Sequence, residues 1–326
     1  MKAAKPRILI TEPITKSVID YLSKFGEVTI GVKGRYLIEE HLISDISRFD
    51  ALLTMLSNPV TERVLKAAPK LKVVANFAVG YNNIDIVATS NLGIKVANTP
   101  EVLTEACGDF AMALLMATSR NFYQAEKYLR QGKFEGWEPL GFLGPELRGK
   151  KLGIIGMGRI GQAFAKRALA FGMNIQYSNR NRLAAVIEKA LNASYIPNVQ
   201  ELASCSDVLS LNCPLTTHTY HLVDEQLLEI MPNHALLINI SRGAVVDEAA
   251  LAKALHAGCI AGAGLDVFEK EPTVHPDLLS APNCTILPHI ASATFETREA
   301  IGMLAAKAII KVLAKEPDTS IPNLIS

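Results

Sequence analysis

The chain has 326 residues, enough for two domains of ordinary size and too many for one ordinary core. Its 33 Lys plus Arg against 32 Asp plus Glu leave a formal charge of +1, so no bulk field draws it to nucleic acid or to an anionic membrane, and its partners are expected to be small molecules. Five cysteines, at 107, 205, 213, 259 and 284, contain no CxxC pair; they fit neither a disulfide framework nor a zinc site, and a reducing, cytoplasmic setting is expected.

The opening "MKAAKPRILITEP" carries basic residues without a long apolar core or a small-residue cleavage site, so it does not read as a secretory signal. The run "FAMALLMATS" falls far short of the roughly 20 residues a bilayer requires, and no membrane association is expected. From "RILIT" onward, short β-branched runs alternate with segments of helical period: Ile14 to Phe25, "ALLTML", Thr61 to Ala68, "LKVVANFAV", Ile84 to Asn91 and "IKVANT". After Thr99 and Pro100 the spacing of Phe110, Leu114 and Ala117 predicts one long helix, roughly Leu103 to Gln131, linking two halves.

From Lys151 the alternation restarts. "KLGIIGMG", "NIQYS", "DVLSLNCP", "ALLINIS", "GAGLDV" and "CTILPH" read as strands separated by helix-length segments, and six buried strands with helical crossovers predict a doubly wound parallel α/β sheet. A last helical pattern, Thr294 to Ala314, has no strand after it.

Between the first two of these strands, Gly156, Gly158 and Gly161 make G-x-G-x-x-G, directly after an apolar strand and directly before an amphipathic segment. Gly156 permits a tight turn, Gly158 lets backbone approach a pyrophosphate, and Gly161 lets helix and strand pack closely. With Met157, Arg159 and Ile160 between them, they form a phosphate loop at a helix N-terminus, where amide donors and the helix dipole favour an anion. A dinucleotide is therefore expected.

About twenty residues on, where an NAD site carries an Asp or Glu for the ribose 2′-hydroxyl, the chain has Ser178, Asn179, Arg180, Asn181 and Arg182. Without the acid, neither its hydrogen bond to the ribose nor its repulsion of a 2′-phosphate is present. Arg180 and Arg182, with Ser178 and Asn179, suit a dianionic phosphate, so NADP(H) is favoured. The alternative is that both arginines are solvated and NAD(H) binds without the acid.

Three further strand ends carry polar groups: Arg242 in "NISRGAVVDEAAL"; Asp266, Glu269 and Glu271 in "GLDVFEKEP"; and His289 in "ILPHIASAT". In a doubly wound sheet such ends line the ligand crevice. Hydride transfer to a ketone leaves negative charge on oxygen and calls for a proton donor with a cation beside it. His289 can be the donor, Glu271 can fix the ring, and Arg242 can hold an α-carboxylate while polarising the carbonyl. No metal is needed. Taken singly, each residue has a plain alternative as an ion-pair, loop or surface group. His218 and His221, three apart, lack the further ligands zinc usually requires.

Together these segments resemble the D-isomer-specific 2-hydroxyacid dehydrogenases, and "FAVGYNNIDIVATSNLGIKVANTPEVLTEACGDFAMALL" extends the likeness through the first half. The resemblance implies two Rossmann-like domains. A flavodoxin-like substrate domain would be built from 1–99 and 292–326, with the last helix placed back on it, and an NAD(P)-binding domain from 100–291. It implies Arg242 as substrate anchor, Glu271 as partner of His289, and His289 as acid/base. Val79 and Gly80 would offer amides to the substrate carboxylate. Asp266 would meet the nicotinamide carboxamide; Thr104, Cys213, Pro214 and Thr219 would line the cofactor, with Ile240, Ser241 and Ala291 at the neighbouring strand ends. Cys213 is expected to pack rather than to attack, since the chemistry has no covalent step.

Within the family, "RQGKFEGWEPLGFLGPELRGKKLG" and "SNRNR" look most like the glyoxylate/hydroxypyruvate reductase branch, an NADPH-dependent reductase of short 2-keto acids. That branch implies a homodimer on the linking helix near 101–131, with Trp137 reaching into the partner's active site; the alternative is a Trp that only packs in the interface. Asn82 and Ala291 depart from the commonest family spelling and bear on the shape of the pocket. A 2-ketogluconate reductase or phosphite dehydrogenase shares much of this frame, and a cofactor-sensing binding module is the alternative from another class. The short stretch before the first strand and an end at "PNLIS" favour an enzyme.

Overall fold

A computed structural model describes residues 5–325. They divide into two compact units, 5–103 with 293–325, and 104–292. No helix among the described residues is long and apolar enough to cross a membrane.

The first unit is built on five parallel strands, β1 (Arg7–Ile10), β2 (Glu27–Ile30), β3 (Ala51–Thr54), β4 (Val73–Asn76) and β5 (Lys95–Ala97), in the order β2-β1-β3-β4-β5. This is the flavodoxin-like order. β3 and β4 are buried at every position, which is why they read as unbroken apolar runs. β2 was not marked in the sequence. It is an edge strand with no buried residue, so it has no hydrophobic run to betray it.

The helix Phe295–Leu313 returns to this unit and packs on β4 and on the helix Lys16–Ser23. Gly302 is the contact point: a Cβ there would come 2.7 Å from the Val18 side chain and 3.2 Å from Phe77. Thr294 caps the helix by accepting from the Thr297 amide at 3.1 Å.

The second unit carries β6 (Lys151–Ile155), β7 (Asn174–Ser178), β8 (Ala193–Tyr195), β9 (Val208–Leu211), β10 (Leu236–Asn239), β11 (Gly262–Leu265) and β12 (Cys284–Ile286). All seven are parallel in the order β12-β11-β10-β9-β6-β7-β8, so the winding reverses between β6 and β9, the place where open α/β sheets bind ligands. The sequence marked six of them. β8 is a three-residue edge strand with no buried residue, and it lacks an apolar run as β2 does.

One face of this sheet is covered by the helices Thr104–Ser119 and Arg159–Ala170, which meet where Gly108 lies against Ala163. Phe164 and Tyr177 are fully buried there. Withdrawing a side chain such as Phe164 from water contributes ~2–3 kcal/mol. The expected single helix from Leu103 to Gln131 is instead two, Thr104–Ser119 and Phe122–Arg130. Asn121 breaks it with φ +52°, a conformation Asn tolerates better than most residues, and its Nδ2 donates to the Leu143 carbonyl at 3.0 Å.

Candidate active site

The turn after β6 leaves no room for side chains where it bends. Gly156 has φ +95°, and a Cβ there would lie 2.5 Å from the Cys213 amide nitrogen; one on Gly161 would lie 2.6 Å from the Gly156 carbonyl oxygen. Gly158 differs in having open space where its Cβ would be. It also begins the helix Arg159–Ala170 with no side-chain cap, whereas Asn198, Asp224 and Asp247 each cap the helix they precede. An uncapped helix N-terminus behind a bare glycine backbone fits a pyrophosphate. Met157 lies in the loop and Ile160 in the first turn of the helix, and the Met157 amide donates to Asn179 Oδ1 at 2.7 Å. The end of β7 therefore braces the phosphate loop from below.

The other residues beyond β7 are divided in their attachments. Ser178 is buried and donates to the Pro197 carbonyl at 3.2 Å. Arg182 is locked to Glu188, with Nε and Nη2 each 2.9 Å from a carboxylate oxygen, and Glu188 also accepts from Tyr177 Oη at 2.7 Å. Arg180 is exposed and makes no ion pair among the described residues.

At the carboxyl end of β10, Asn239 shapes the next turn. Its Oδ1 accepts from the Ser241 amide and hydroxyl at 3.0 and 2.9 Å, and its Nδ2 donates to the Arg242 carbonyl at 3.0 Å. Ile240 is half-buried and Ser241 buried. Arg242 is extended at φ −141° and donates through Nη1 to the Ser241 carbonyl at 2.7 Å. Burial pulls its pKa below the usual arginine value, and the charge of Glu271 opposes that shift. A half-buried guanidinium with donors to spare attracts an anion.

Beyond β12, His289 adopts φ +55°, and the turn is held by Asp266, the residue following β11. Asp266 is fully buried; its two oxygens accept from the Ile290 and Ala291 amides, each at 2.8 Å. Burial pushes its carboxyl up to about 6 against the pull of those amides. His289 Nδ1 meets Glu271 at 2.9 and 3.1 Å, leaving Nε2 for another partner. Burial raises the Glu271 carboxyl, but His289, the Phe268 amide and Arg242 outweigh that effect and leave it below the ordinary carboxylate value.

Arg242, Glu271, His289, Asp266 and Ala291 thus gather on three successive strand ends of one unit, beside the turns that carry Ile240 and Ser241. Cys213 is buried, with its thiol pushed up to about 11, so it packs at neutral pH and is a poor nucleophile. Thr219 closes its own turn by donating to the exposed Pro214 at 2.7 Å. Thr104 opens the helix Thr104–Ser119. Val79 and Gly80 lie in the first unit after β4, their carbonyls accepting from Asn98 and Asn76 at 2.8 and 2.7 Å. Trp137 is 85% exposed in the segment after Arg130. The sequence alone does not mark Asn239, Glu188 or Glu248. Asn239 ends an apolar strand and carries a visible signal, whereas Glu188 reads as a helix surface charge and Glu248 acts on an amide that only folding brings near.

Nothing here is arranged for covalent attack; a dinucleotide cradle and a histidine–carboxylate pair beside a cation belong to an NAD(P)-dependent oxidoreductase. Residues 112–291 match the D-isomer specific 2-hydroxyacid dehydrogenase, NAD binding domain family. A glyoxylate reductase of Thermococcus onnurineus is 46% identical over 310 residues, 94% of this chain and 92% of its own. A solved Thermus thermophilus protein superimposes with a TM-score of 0.91 at 37% identity, covering 98% of this chain and all of its own. An NADPH-dependent glyoxylate/hydroxypyruvate reductase from Sinorhizobium meliloti, solved with NADP and malonate, has a TM-score of 0.84 at 38% identity and covers 95% and 94%. The chain belongs to the D-isomer specific 2-hydroxyacid dehydrogenase family.

Proposed function

We propose that the protein reduces glyoxylate, hydroxypyruvate or a similar short 2-keto acid to the D-2-hydroxy acid, with NADPH preferred over NADH. The observation that carries this reading is the His289–Glu271 hydrogen bond beside the half-buried Arg242. Similarity to glyoxylate reductases supports the substrate class. The bound dinucleotide supplies the hydride.

Arg242 binds the 2-keto acid through its carboxylate and polarises the adjacent carbonyl. His289, protonated, gives its Nε2 proton to the carbonyl oxygen as negative charge develops there, and Glu271 stabilises the imidazolium and fixes its plane. In the oxidative direction neutral His289 takes that proton back. Val79 and Gly80, in the first unit, which is the substrate-binding domain in this reading, are the residues that would offer backbone amides to a carboxylate. In the second unit Gly156 to Gly161 cradle the pyrophosphate, while Thr104, Cys213, Pro214, Thr219, Ile240 and Ser241 line the cofactor. Asp266 keeps lone pairs beyond the two amides it accepts, enough for a carboxamide N–H.

The NADPH preference rests on the absence of an acid after β7 and on Arg180, with Arg182 shared between Glu188 and the 2′-phosphate. The subunit pairs with a second copy: Phe122, Tyr123, Leu129, Phe134, Leu140 and Leu143 are all exposed, as Trp137 is. A groove of about 790 Å³ between the segment 141–148 and the helix Thr104–Ser119 lies beside them. Trp137 then narrows the partner's pocket toward small acids.

A panel of glyoxylate, hydroxypyruvate, pyruvate and 2-ketogluconate with NADPH and NADH, and of phosphite with the oxidised cofactors, tests the reading. Highest kcat/KM on glyoxylate or hydroxypyruvate with NADPH is the expected result. Phosphite oxidation, or tight cofactor binding without turnover of any acid, would sink it.

A further inference from the structure

Glu248 is a buried carboxylate that the chemistry above does not use. It lies in the first turn of the helix Glu248–Ala257, only 5% exposed, yet it caps nothing there. Asp247 is the cap, accepting from the Ala249 and Ala250 amides at 3.0 Å. Glu248 Oε1 instead accepts the Glu269 amide at 2.7 Å, from a turn far along the chain. A carboxylate taken from water is costly unless hydrogen-bonded, so its position requires a compensating contact.

That contact leads to the reacting groups. Next to Glu269, the Phe268 amide donates to Glu271 Oε1 at 3.1 Å, and Glu271 Oε2 lies 2.9 Å from His289 Nδ1. We propose that Glu248 is a positioning residue: by holding the Glu269 amide it fixes the 268–271 turn, and with it the carboxylate that orients His289. The Arg242 turn leans on the same segment, since a Cβ on Gly243 would land on the Phe268 carbonyl, so one clamp sets both groups.

Burial raises the Glu248 carboxyl, and the Glu269 and His275 amides work against it. Facing it are the Glu269 carboxylate, His275 and Cys284, whose thiol is pushed up to about 12 by burial and then by the Glu248 charge. His221 Nε2 lies 3.4 Å from Glu269, and its Nδ1 lies 3.9 Å from Asp247. Arg242 and Asp266 face the Glu271–His289 pair.

The inference rests on reading that pair as the proton-transfer apparatus, and two variants test it. E248D keeps the charge but withdraws it from the Glu269 amide; E248Q keeps the reach with an amide oxygen. E248D should lower kcat for 2-keto acid reduction about 10- to 100-fold with KM for NADPH little changed, the scale of a misplaced reacting group. The acid limb of its kcat/KM profile should move up by about one pH unit as Glu271 loses the contacts that hold it low. E248Q should stay within about threefold with an unmoved limb. In cofactor-free protein, the His289 Nδ1–H proton resonance should lie far downfield in wild type and E248Q and lose that shift in E248D. A wild-type limb and resonance in E248D would overturn the proposal whatever its thermal stability, as would an E248Q that behaves like E248D. Expected resonances in a protein that turns over no 2-keto acid would refute the functional reading and leave the clamp standing.

Discussion

The two ends of the proposed cofactor crevice are built differently. At the proposed reacting end, Arg242, Asp266, Glu271 and His289 sit on turns fixed by backbone hydrogen bonds to the buried side chains of Asn239, Asp266 and Glu248. At the far end, the arginines that would read the ribose are long exposed side chains, one tied to Glu188 and the other making no ion pair among the described residues. A reaction needs groups held within a fraction of an ångström, whereas discrimination between two cofactors needs only a change of local charge. The reacting end should therefore fail steeply when altered, and the selective end should change gradually.

H289Q is the severest break. It should lower kcat about 10³-fold with either cofactor, within the range general acid catalysis commands, and leave dinucleotide affinity unchanged in a fluorescence titration. The next effect is on stability. Asp266 ionises near 6 when folded against 3.8 for the ordinary group, so the folded form holds a proton that the unfolded form has released over that interval. Its stabilising contribution is complete below pH 3.8 and is lost as pH rises through 6. D266N removes this titration, so the unfolding free energy of wild type minus that of D266N should fall by about 2 kcal/mol from pH 4 to pH 7 in denaturant titrations. An unchanged difference would mean that burial does not perturb the group.

R242K, which keeps the charge but loses the planar fork, should lower kcat/KM for glyoxylate about 100-fold while leaving KM for NADPH alone. At the selective end the changes are smaller. R180A should weaken NADPH about tenfold and leave NADH nearly untouched, and R182A should cost less because Glu188 already occupies part of that guanidinium.

The same contrast decides what could be read from the sequence. Strands buried on both faces, such as Val73–Asn76 and Val208–Leu211, declare themselves as apolar runs, and the glycine loop does so by spacing. The edge strands Glu27–Ile30 and Ala193–Tyr195 have no buried face and stayed invisible. Phe122–Arg130 kept a helical period across Asn121, so only the backbone shows the break. The proposed Arg242, Glu271 and His289 stand out in the sequence because polar residues a few positions beyond buried strands are conspicuous. Glu248 and Glu188 do not, because a carboxylate in a helix reads as a surface charge until the fold closes an amide or guanidinium onto it.

The most direct test is kcat/KM for glyoxylate reduction with NADPH and with NADH in wild type, H289Q and R180A side by side. The account predicts turnover by wild type with NADPH favoured, equal loss with both cofactors in H289Q, and a loss confined to NADPH in R180A. An inactive wild type would contradict the assigned reaction, and two variants that shift the NADPH-to-NADH ratio alike would contradict the separation of the two ends.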